Sequence, residues 1–248
     1  MREISSISLH FGRVSGTFGG LKEESILDMF IPVIKYNFIK KCLGEISNAL
    51  MNCVDGHIIE TTKAYQQERI FSAFTDLTES QRALLNVSNI REGFQIEQFL
   101  KGLEPYIYGM DAISNETVSR LFRKEKKLKI PQDLDLNRKR AYLGWIDSGS
   151  RKLILIHKPG AEAFGMACRL PQVKAKTTNV CALCNRIGDE TQVAFVSPVC
   201  KTAHLGPDAY KSLGFYICLD SEACNDRITS LDKLEELLSV MNNVPVIR

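Results

Sequence analysis

The sequence predicts an α+β fold with a helical first half and a strand-rich second half. Up to about residue 130 the apolar residues recur at three- and four-residue steps, which is the period of an amphipathic helix. After Pro131 they alternate or run together in short stretches bounded by turn residues, as strands do. Four of the eight cysteines also fall in two close pairs within this second half. We therefore expect two units, each with its own core.

The first half divides into an extension and a helical bundle. Residues 1–27 begin with a Ser- and Gly-rich stretch without a sustained period, which predicts a loosely ordered extension. Residues 28–130 are predicted to form an antiparallel bundle. Its first helix has one apolar stripe, formed by Ile31, Ile34, Phe38, Cys42, Ile46, Ala49 and Cys53. Further helices are expected over 58–74, from the capping box Thr78-x-x-Gln81 onwards, over 91–103 and over 114–123.

Residues 131–248 are predicted to form an α/β domain. The stretches 142–146 and 153–156 flank a Gly-containing turn, which indicates a β-hairpin. Short strands are also expected over 164–170, 192–196 and 213–217. A C-terminal helix begins near Thr229 and has leucines on one face.

The paired cysteines in this domain predict a metal site. Their spacing is Cys181-x2-Cys184 and Cys218-x5-Cys224, and four thiolates would fill the tetrahedral coordination of one structural Zn²⁺. The soft sulfur ligands favour Zn²⁺ over Mg²⁺ or Ca²⁺. A knuckle turn, a hairpin and a helix start would together form a treble-clef zinc finger. The alternative is that these residues are buried or redox-active thiols.

Composition sets wider limits on the function. The net charge of +3 does not by itself indicate a nucleic-acid partner. The sequence has no run of about 18 apolar residues, and Arg2 and Arg13 are not followed by the apolar segment of a secretory signal. We therefore expect a cytoplasmic protein whose cysteine pairs bind metal rather than form disulfides.

Four segments resemble one protein family. They are Ile31–Lys41 in the first long helix, the basic stretch Leu121–Pro131, and the cysteine motifs Val180–Cys184 and Tyr216–Asn225. In these residues the chain resembles the FusB-type family, the elongation-factor-G-binding proteins associated with fusidic-acid resistance. The likeness covers about residues 28–240, and residues 1–27 depart from the family pattern.

The resemblance implies a function as well as a fold. Members of the family resemble a helical bundle joined to an α/β domain with a treble-clef zinc finger. They bind elongation factor G mainly through the C-terminal domain and are thought to speed its release from the ribosome, where fusidic acid traps it. For this chain the resemblance implies one structural Zn²⁺, elongation factor G as partner and protection against fusidic acid.

Candidate partner contacts lie between the two cysteine pairs. Aromatic and basic side chains on a rigid hairpin can fill pockets and pair with carboxylates. The candidates are Lys201, Tyr210, Lys211 and Phe215. Phe195 and Tyr216 are instead expected to be core strand residues, and this is also the alternative for Phe215. A solvated loop remains the alternative for Tyr210 and Lys211.

A basic run supports a second hypothesis, that of a zinc-finger protein that contacts ribosomal RNA. Its members are Arg120, Arg123, Lys124, Lys126, Lys127 and Lys129, opposed by Glu125 alone. Such a run can also be a solvated helix face or can meet an acidic protein surface. An RNA contact would weaken steeply with salt, whereas an interface with apolar anchors would weaken less.

The sequence favours a binding protein over an enzyme. It has no phosphate-binding glycine motif and no HExxH motif. Cys200 and His204 are four residues apart, but nothing supplies the third group of a nucleophilic site. We interpret Cys200 as a strand-end thiol and His204 as a loop residue, with His204 as an alternative zinc ligand.

Overall fold

The structure is a computed structural model that describes residues 28–125, 128–135, 137–172, 177–198 and 213–245. The predictions for residues 1–27, for Lys126 and Lys127, and for the segment 199–212 lie outside the described residues. Within the described ranges, no helix is long and apolar enough to cross a membrane.

The first half is the predicted helical bundle. A short strand precedes the first helix. It pairs in parallel with a second short strand at the end of the bundle, with Ile31 opposite Ile107. Asp55 accepts a hydrogen bond from the His57 amide at 2.8 Å, so the second helix begins two residues earlier than predicted. The elements are β1 (Ile31–Pro32), α1 (Val33–Asn52), α2 (Gly56–Ser72), α3 (Glu79–Leu84), α4 (Gly93–Leu103) and β2 (Ile107–Tyr108).

Apolar side chains from these helices form one core. In this core, α1 meets Ile70 from α2 and Leu85 after α3. The side chains of α1 that are fully buried here, like those of Ile70 and Leu85, are Ile39, Cys42, Leu43 and Ile46. The predicted capping box is present, because Thr78 accepts from the Gln81 amide and the Gln81 side chain accepts from the Thr78 amide. The helical periodicity therefore located both the helices and the face that they bury.

The second half is built on an antiparallel sheet. In the described part of the chain its strands lie in the order β3-β4-β5-β8-β9, and β6 pairs with β7 in a separate small hairpin. The elements are α5 (Asn115–Leu121), β3 (Leu143–Asp147), β4 (Lys152–His157), β5 (Phe164–Arg169), β6 (Asn179–Val180), β7 (Ile187–Gly188), β8 (Val193–Pro198), β9 (Phe215–Cys218), α6 (Ser221–Asn225) and α7 (Asp232–Asn242).

Both faces of this sheet are covered over β3, β4 and β5. One face packs against α7 and the cysteine cluster, and the other packs against α5 and the segment after it. This explains the unbroken apolar run of β4, because a strand buried on both faces does not alternate. The buried side chains Val118, Phe122 and Ile130 belong to the second cluster, so the core of the sheet extends across the predicted boundary at residue 130.

Candidate metal centre and partner surface

The fold brings the four paired cysteines together. Cys181 and Cys184 flank the turn between β6 and β7, Cys218 ends β9, and Cys224 lies in α6. Their sulfur atoms all lie within 4.8 Å of one another. The Cys181–Cys224 sulfurs are 3.9 Å apart and the Cys184–Cys218 sulfurs 3.6 Å.

These distances identify the kind of site. A disulfide would bring two sulfurs to about 2 Å. Sulfurs at the corners of a tetrahedron around Zn²⁺, with Zn–S bonds near 2.3 Å, are about 3.8 Å apart. The observed spacing therefore fits a Cys₄ zinc site, and four thiolates leave no coordination position for a water molecule. The site is structural and would hold one Zn²⁺.

Local backbone geometry sets the first pair of ligands. Asn185 has a φ of 59°, a left-handed conformation that Asn tolerates better than most residues. Its amide donates to the Cys181 carbonyl at 2.9 Å, and the Cys181 amide donates to the Arg186 carbonyl at 2.9 Å. These bonds close a tight knuckle that aims both sulfurs at one point.

The second pair is positioned by β9 and by the cap of α6. Asp220 accepts from the Ala223 amide at 2.9 Å, which starts α6 directly after the strand. The Cys218 amide donates to the Cys181 sulfur at 3.4 Å, and the Arg227 guanidinium donates to the Cys218 sulfur at 3.7 Å. Such donors partly offset the negative charge of four thiolates.

The pKa values of the clustered thiols are shifted in opposite directions. Hydrogen bonds from Cys181 and the other thiols lower the pKa of Cys184. Hydrogen bonding to Cys181 and Cys184 raises the pKa of Cys218, and the pKa of Cys224 is raised in the same way. Without a cation, crowded thiolates repel one another, so some members keep their protons. A divalent cation allows all four to ionise, which is why metal binding releases protons.

Asn225, next to the ligand Cys224, fixes α6 to the sheet. Its side-chain oxygen accepts from the amides of Ala141 and Tyr142 at 2.7 and 3.2 Å. Its side-chain nitrogen donates to the carbonyls of Tyr142 and Ser221 at 3.0 and 2.9 Å. The residue stands in the motif that carries the family resemblance, but sequence reasoning gave it no role.

Asn37 joins the helical half to this centre. Its buried side-chain nitrogen donates to the carbonyls of Asn225 and Ile228 at 2.6 and 2.8 Å. Lys40, one turn later on α1, donates to the Asp226 carbonyl at 3.0 Å. We call the Asn37 contacts the Asn37 clasp. They bind α1 directly to the backbone of the zinc module.

The predicted partner contacts have different outcomes. Lys201, Tyr210 and Lys211 lie outside the described residues. Phe215 is only 7 % exposed and packs into the core beside the cysteine cluster, so its ring has almost no surface to offer a partner. The alternation of β9 explains this, since Phe215 and Ile217 face the core and Tyr216 faces outward.

The expectation that Phe195 and Tyr216 are core residues is wrong. They are 42 % and 40 % exposed, lie opposite each other across β8 and β9, and form an edge-to-face pair with centroids 5.3 Å apart. A Cβ at Gly214 would lie 2.1 Å from the Phe195 ring, so the glycine makes room for this ring. We call Phe195 and Tyr216 the aromatic pair. Their alternation with buried neighbours is the signal that indicates the outward face.

The basic run is not a single helix face. Helix α5 ends at Leu121, and Arg123, Lys124 and Lys129 follow it as exposed residues. Arg120, Arg123 and Lys124 line a cavity of about 450 Å³. Two later cations have structural partners instead. Arg138 binds Glu222 at 3.0 Å and Asp226 at 2.5 Å, and the buried Arg140 binds Glu222 at 3.2 Å.

The knuckle, the strand and the helix start around one Cys₄ centre define a treble-clef zinc-binding protein. Two family models match the chain, "Elongation factor G-binding protein, N-terminal" over residues 30–111 and "FBP C-terminal treble-clef zinc-finger" over residues 116–242. The chain belongs to the FusB-type family of elongation-factor-G-binding proteins, which confirms the predicted family, fold class and zinc site. The family descriptions name a binding activity and no reaction.

The comparison with solved structures agrees on the fold. The "Structure of the fusidic acid resistance protein FusC" matches with 23 % identity and a TM-score of 0.68. The match covers 88 % of this chain and 99 % of that one. A comparison with curated proteins gives no match.

Proposed function

We propose that this protein binds elongation factor G in the cytoplasm and promotes its release from the ribosome, which gives protection against fusidic acid. The two family models support the choice of partner. The observation that carries the proposal is the exposed aromatic pair on the zinc module. Aromatic side chains are enriched among residues that dominate binding energy, and here two of them lie in contact with each other on the exposed face of the module.

The aromatic pair is attached to a rigid support. Tyr216 is held between the buried residues Phe215 and Ile217, and its carbonyl accepts from the Ala182 amide in the knuckle at 2.8 Å. Cys218, two residues on, is a zinc ligand. The metal therefore fixes the position of the pair before a partner arrives. A preorganised surface loses less conformational entropy on binding, which favours affinity.

We place most of the affinity in the zinc module, within the proposed domain 131–248. Lys201, Tyr210 and Lys211 belong to the segment that connects β8 to β9 in sequence, and they remain proposed contacts. Cationic groups in this segment would steer the protein toward an acidic surface. The proposed helical domain, 28–130, supports the module through the Asn37 clasp.

Release from the ribosome requires no chemical step in this protein. If the protein binds the factor more tightly in its ribosome-free shape, it weakens the ribosome's hold on the factor to the same extent. A coupling free energy of about 1–3 kcal/mol changes that affinity by roughly 5- to 150-fold. We therefore interpret the protein as a binding partner that shifts an equilibrium and not as an enzyme.

The first test replaces the aromatic pair. The double variant Phe195→Ala with Tyr216→Ala should weaken binding to purified elongation factor G by roughly 2 kcal/mol, about 30-fold in Kd, because the anchors are lost. Tyr65→Ala is the matched control, since Tyr65 is an exposed aromatic on α2. Calorimetric titration gives Kd, and metal analysis confirms one zinc per chain. An unchanged Kd in the folded, zinc-loaded double variant would contradict this placement.

The release step is tested separately. Elongation factor G is first trapped on ribosomes with fusidic acid, and the ribosomes are then sedimented with and without this protein. We expect the protein to move factor into the supernatant, and the double variant to do so only at concentrations higher by its loss in affinity. Tight binding to free factor with no displacement would overturn the release proposal and leave the binding proposal intact.

The basic cavity supports a second candidate function, contact with ribosomal RNA. Among the described residues, Arg120, Arg123 and Lys124 form no ion pair, so their charges are available to phosphates. Ribosome binding that falls steeply with salt and disappears in Arg120→Glu with Arg123→Glu would favour RNA. Binding to purified factor that is insensitive to these changes favours the first proposal.

A further inference from the structure

We propose that Cys184 is a modification site at which a peroxide oxidises the zinc centre, with Cys218 as the partner that resolves it into a disulfide. The four ligands differ in exposure. Cys181 and Cys224 are completely buried and Cys218 is 2 % exposed, whereas Cys184 is partly open to solvent. An oxidant that approaches from water therefore meets Cys184 first.

Cys184 faces a cationic cleft. The cleft has a volume of about 470 Å³ and lies between α1 and the knuckle. Three cations, Lys40, Lys41 and Arg227, and one acid, Asp226, are in its lining, so its net charge is positive. Peroxide is small enough to enter a cleft of this size. The positive groups stabilise the hydroxide that leaves when a thiolate attacks a peroxide, because opposite charges attract more strongly near a low-dielectric wall.

Cys218 is the thiol that is positioned to form a disulfide with Cys184. Its sulfur lies 3.6 Å from that of Cys184, and formation of an S–S bond of about 2 Å requires the two to approach by only about 1.5 Å. Burial keeps the oxidant away from Cys218, but it does not prevent Cys218 from reacting with the adjacent Cys184. Sequence spacing alone would have suggested the Cys181-x2-Cys184 pair, as in dithiol redox motifs. The structure assigns the long-range pair instead.

The chemistry balances with peroxide as the only oxidant. The Cys184 thiolate attacks one peroxide oxygen, the O–O bond breaks, and the leaving hydroxide takes a proton to become water. This leaves a sulfenic acid at Cys184. The Cys218 thiolate then attacks that sulfur, the S–S bond forms, the S–O bond breaks, and a second hydroxide is protonated to water. Two thiolates are oxidised by two electrons, one peroxide is reduced, and the two remaining cysteines no longer suffice to hold zinc.

The first test uses the full-length, zinc-loaded protein and hydrogen peroxide. A chromogenic chelator follows zinc release, and the reaction is quenched after a small fraction has been released. Peptide mapping without reduction should show a disulfide between Cys184 and Cys218 as the first cross-link. A dithiol reductant with added zinc should restore the starting state. A first cross-link between any other two cysteines, or first oxidation at Cys53, overturns the proposal.

Variants sharpen the assignment. Cys184→Asp keeps an oxygen ligand for zinc but has no thiol, so zinc release by peroxide should slow at least tenfold. Cys53→Ser is the matched control, since Cys53 is partly exposed and lies outside the cluster, and it should behave as wild type. Equal rates in Cys184→Asp and wild type would exclude Cys184 as the point of attack. If Cys184→Asp does not retain zinc, the wild-type peptide map decides the question.

Discussion

The helical half and the zinc half of this protein are stabilised in different ways. The helical half has an apolar core assembled from neighbouring stripes and is closed by local caps such as Thr78. In the zinc half, irregular segments around the knuckle are held by four sulfurs and by buried side-chain amides that bridge distant parts of the chain. One half is therefore specified mostly by local pattern, and the other by contacts that form only when the whole domain has folded.

Removal of the metal is the largest expected disturbance and should separate the halves. Zinc binding in peptide fingers contributes about 10–16 kcal/mol, which matches the stability of a whole domain. A strong chelator, or Cys181→Ser, should unfold the zinc half and leave α1 to α4 helical. Trp145 is the single tryptophan and is buried in β3, on the face of the sheet that packs against α5. Its emission should therefore shift to the red while most of the helical circular dichroism remains.

The control for this experiment is Cys53→Ser, which removes a thiol outside the cluster. Its emission and zinc content should match those of wild type. If Trp145 kept its buried emission after complete zinc loss, the sheet would not depend on the metal. If the helical signal disappeared together with it, the two halves would fold as one unit.

Asn37 provides a sharper test of how far the halves are independent. Asn37→Leu keeps the branched shape of the side chain but leaves the carbonyls of Asn225 and Ile228 without their donor. We expect a loss of about 2 kcal/mol in the free energy of unfolding, because buried acceptors are left unsatisfied. Calorimetry should show the two halves melting further apart than in wild type. Asn48→Ala, at an exposed position of the same helix, should change neither quantity.

The smallest expected effect lies wholly within the helical half. Thr78→Ala removes the hydroxyl that caps α3 and should cost about 1 kcal/mol, whereas Thr78→Ser retains the cap and should cost little. Denaturant unfolding followed by circular dichroism measures the difference. Zinc affinity should be the same in both variants, and a change in zinc affinity would show that α3 is coupled to the metal centre.

The sequence predicted what periodicity and spacing encode. The helices, the capping box, the hairpin and the four ligands of the zinc site were all located in this way. Tyr216 was expected in the core but is 40 % exposed, and Phe215 was a candidate contact but is buried, because β9 alternates and its Phe215 face covers the cysteine cluster. The side chains of Val118, Phe122 and Ile130 come before residue 131 but pack on the sheet, because the apolar face of β3 to β5 opposite α7 must also be buried.

Contacts between distant residues could not be predicted. Asn37 meets Asn225 across 188 positions, and no periodic signal links two polar residues so far apart. The closeness of the Cys184 and Cys218 sulfurs likewise depends on how β9 lies against the knuckle, which spacing along the chain does not determine. Polar residues that satisfy backbone groups in the interior were therefore the part of the site that sequence reasoning missed.

The position of Asn225 has a consequence for solubility. In the described part of the chain, strand β3 is at the edge of the sheet, and Asn225 occupies backbone donors and an acceptor directly before it. Helix α6 also lies against a face of β3, where a Cβ at Gly144 would collide with Ser221. An uncovered edge strand is a template for pairing with another chain. The helix that carries the fourth zinc ligand thus also shields this edge, and a protein deprived of zinc would expose an aggregation-prone strand.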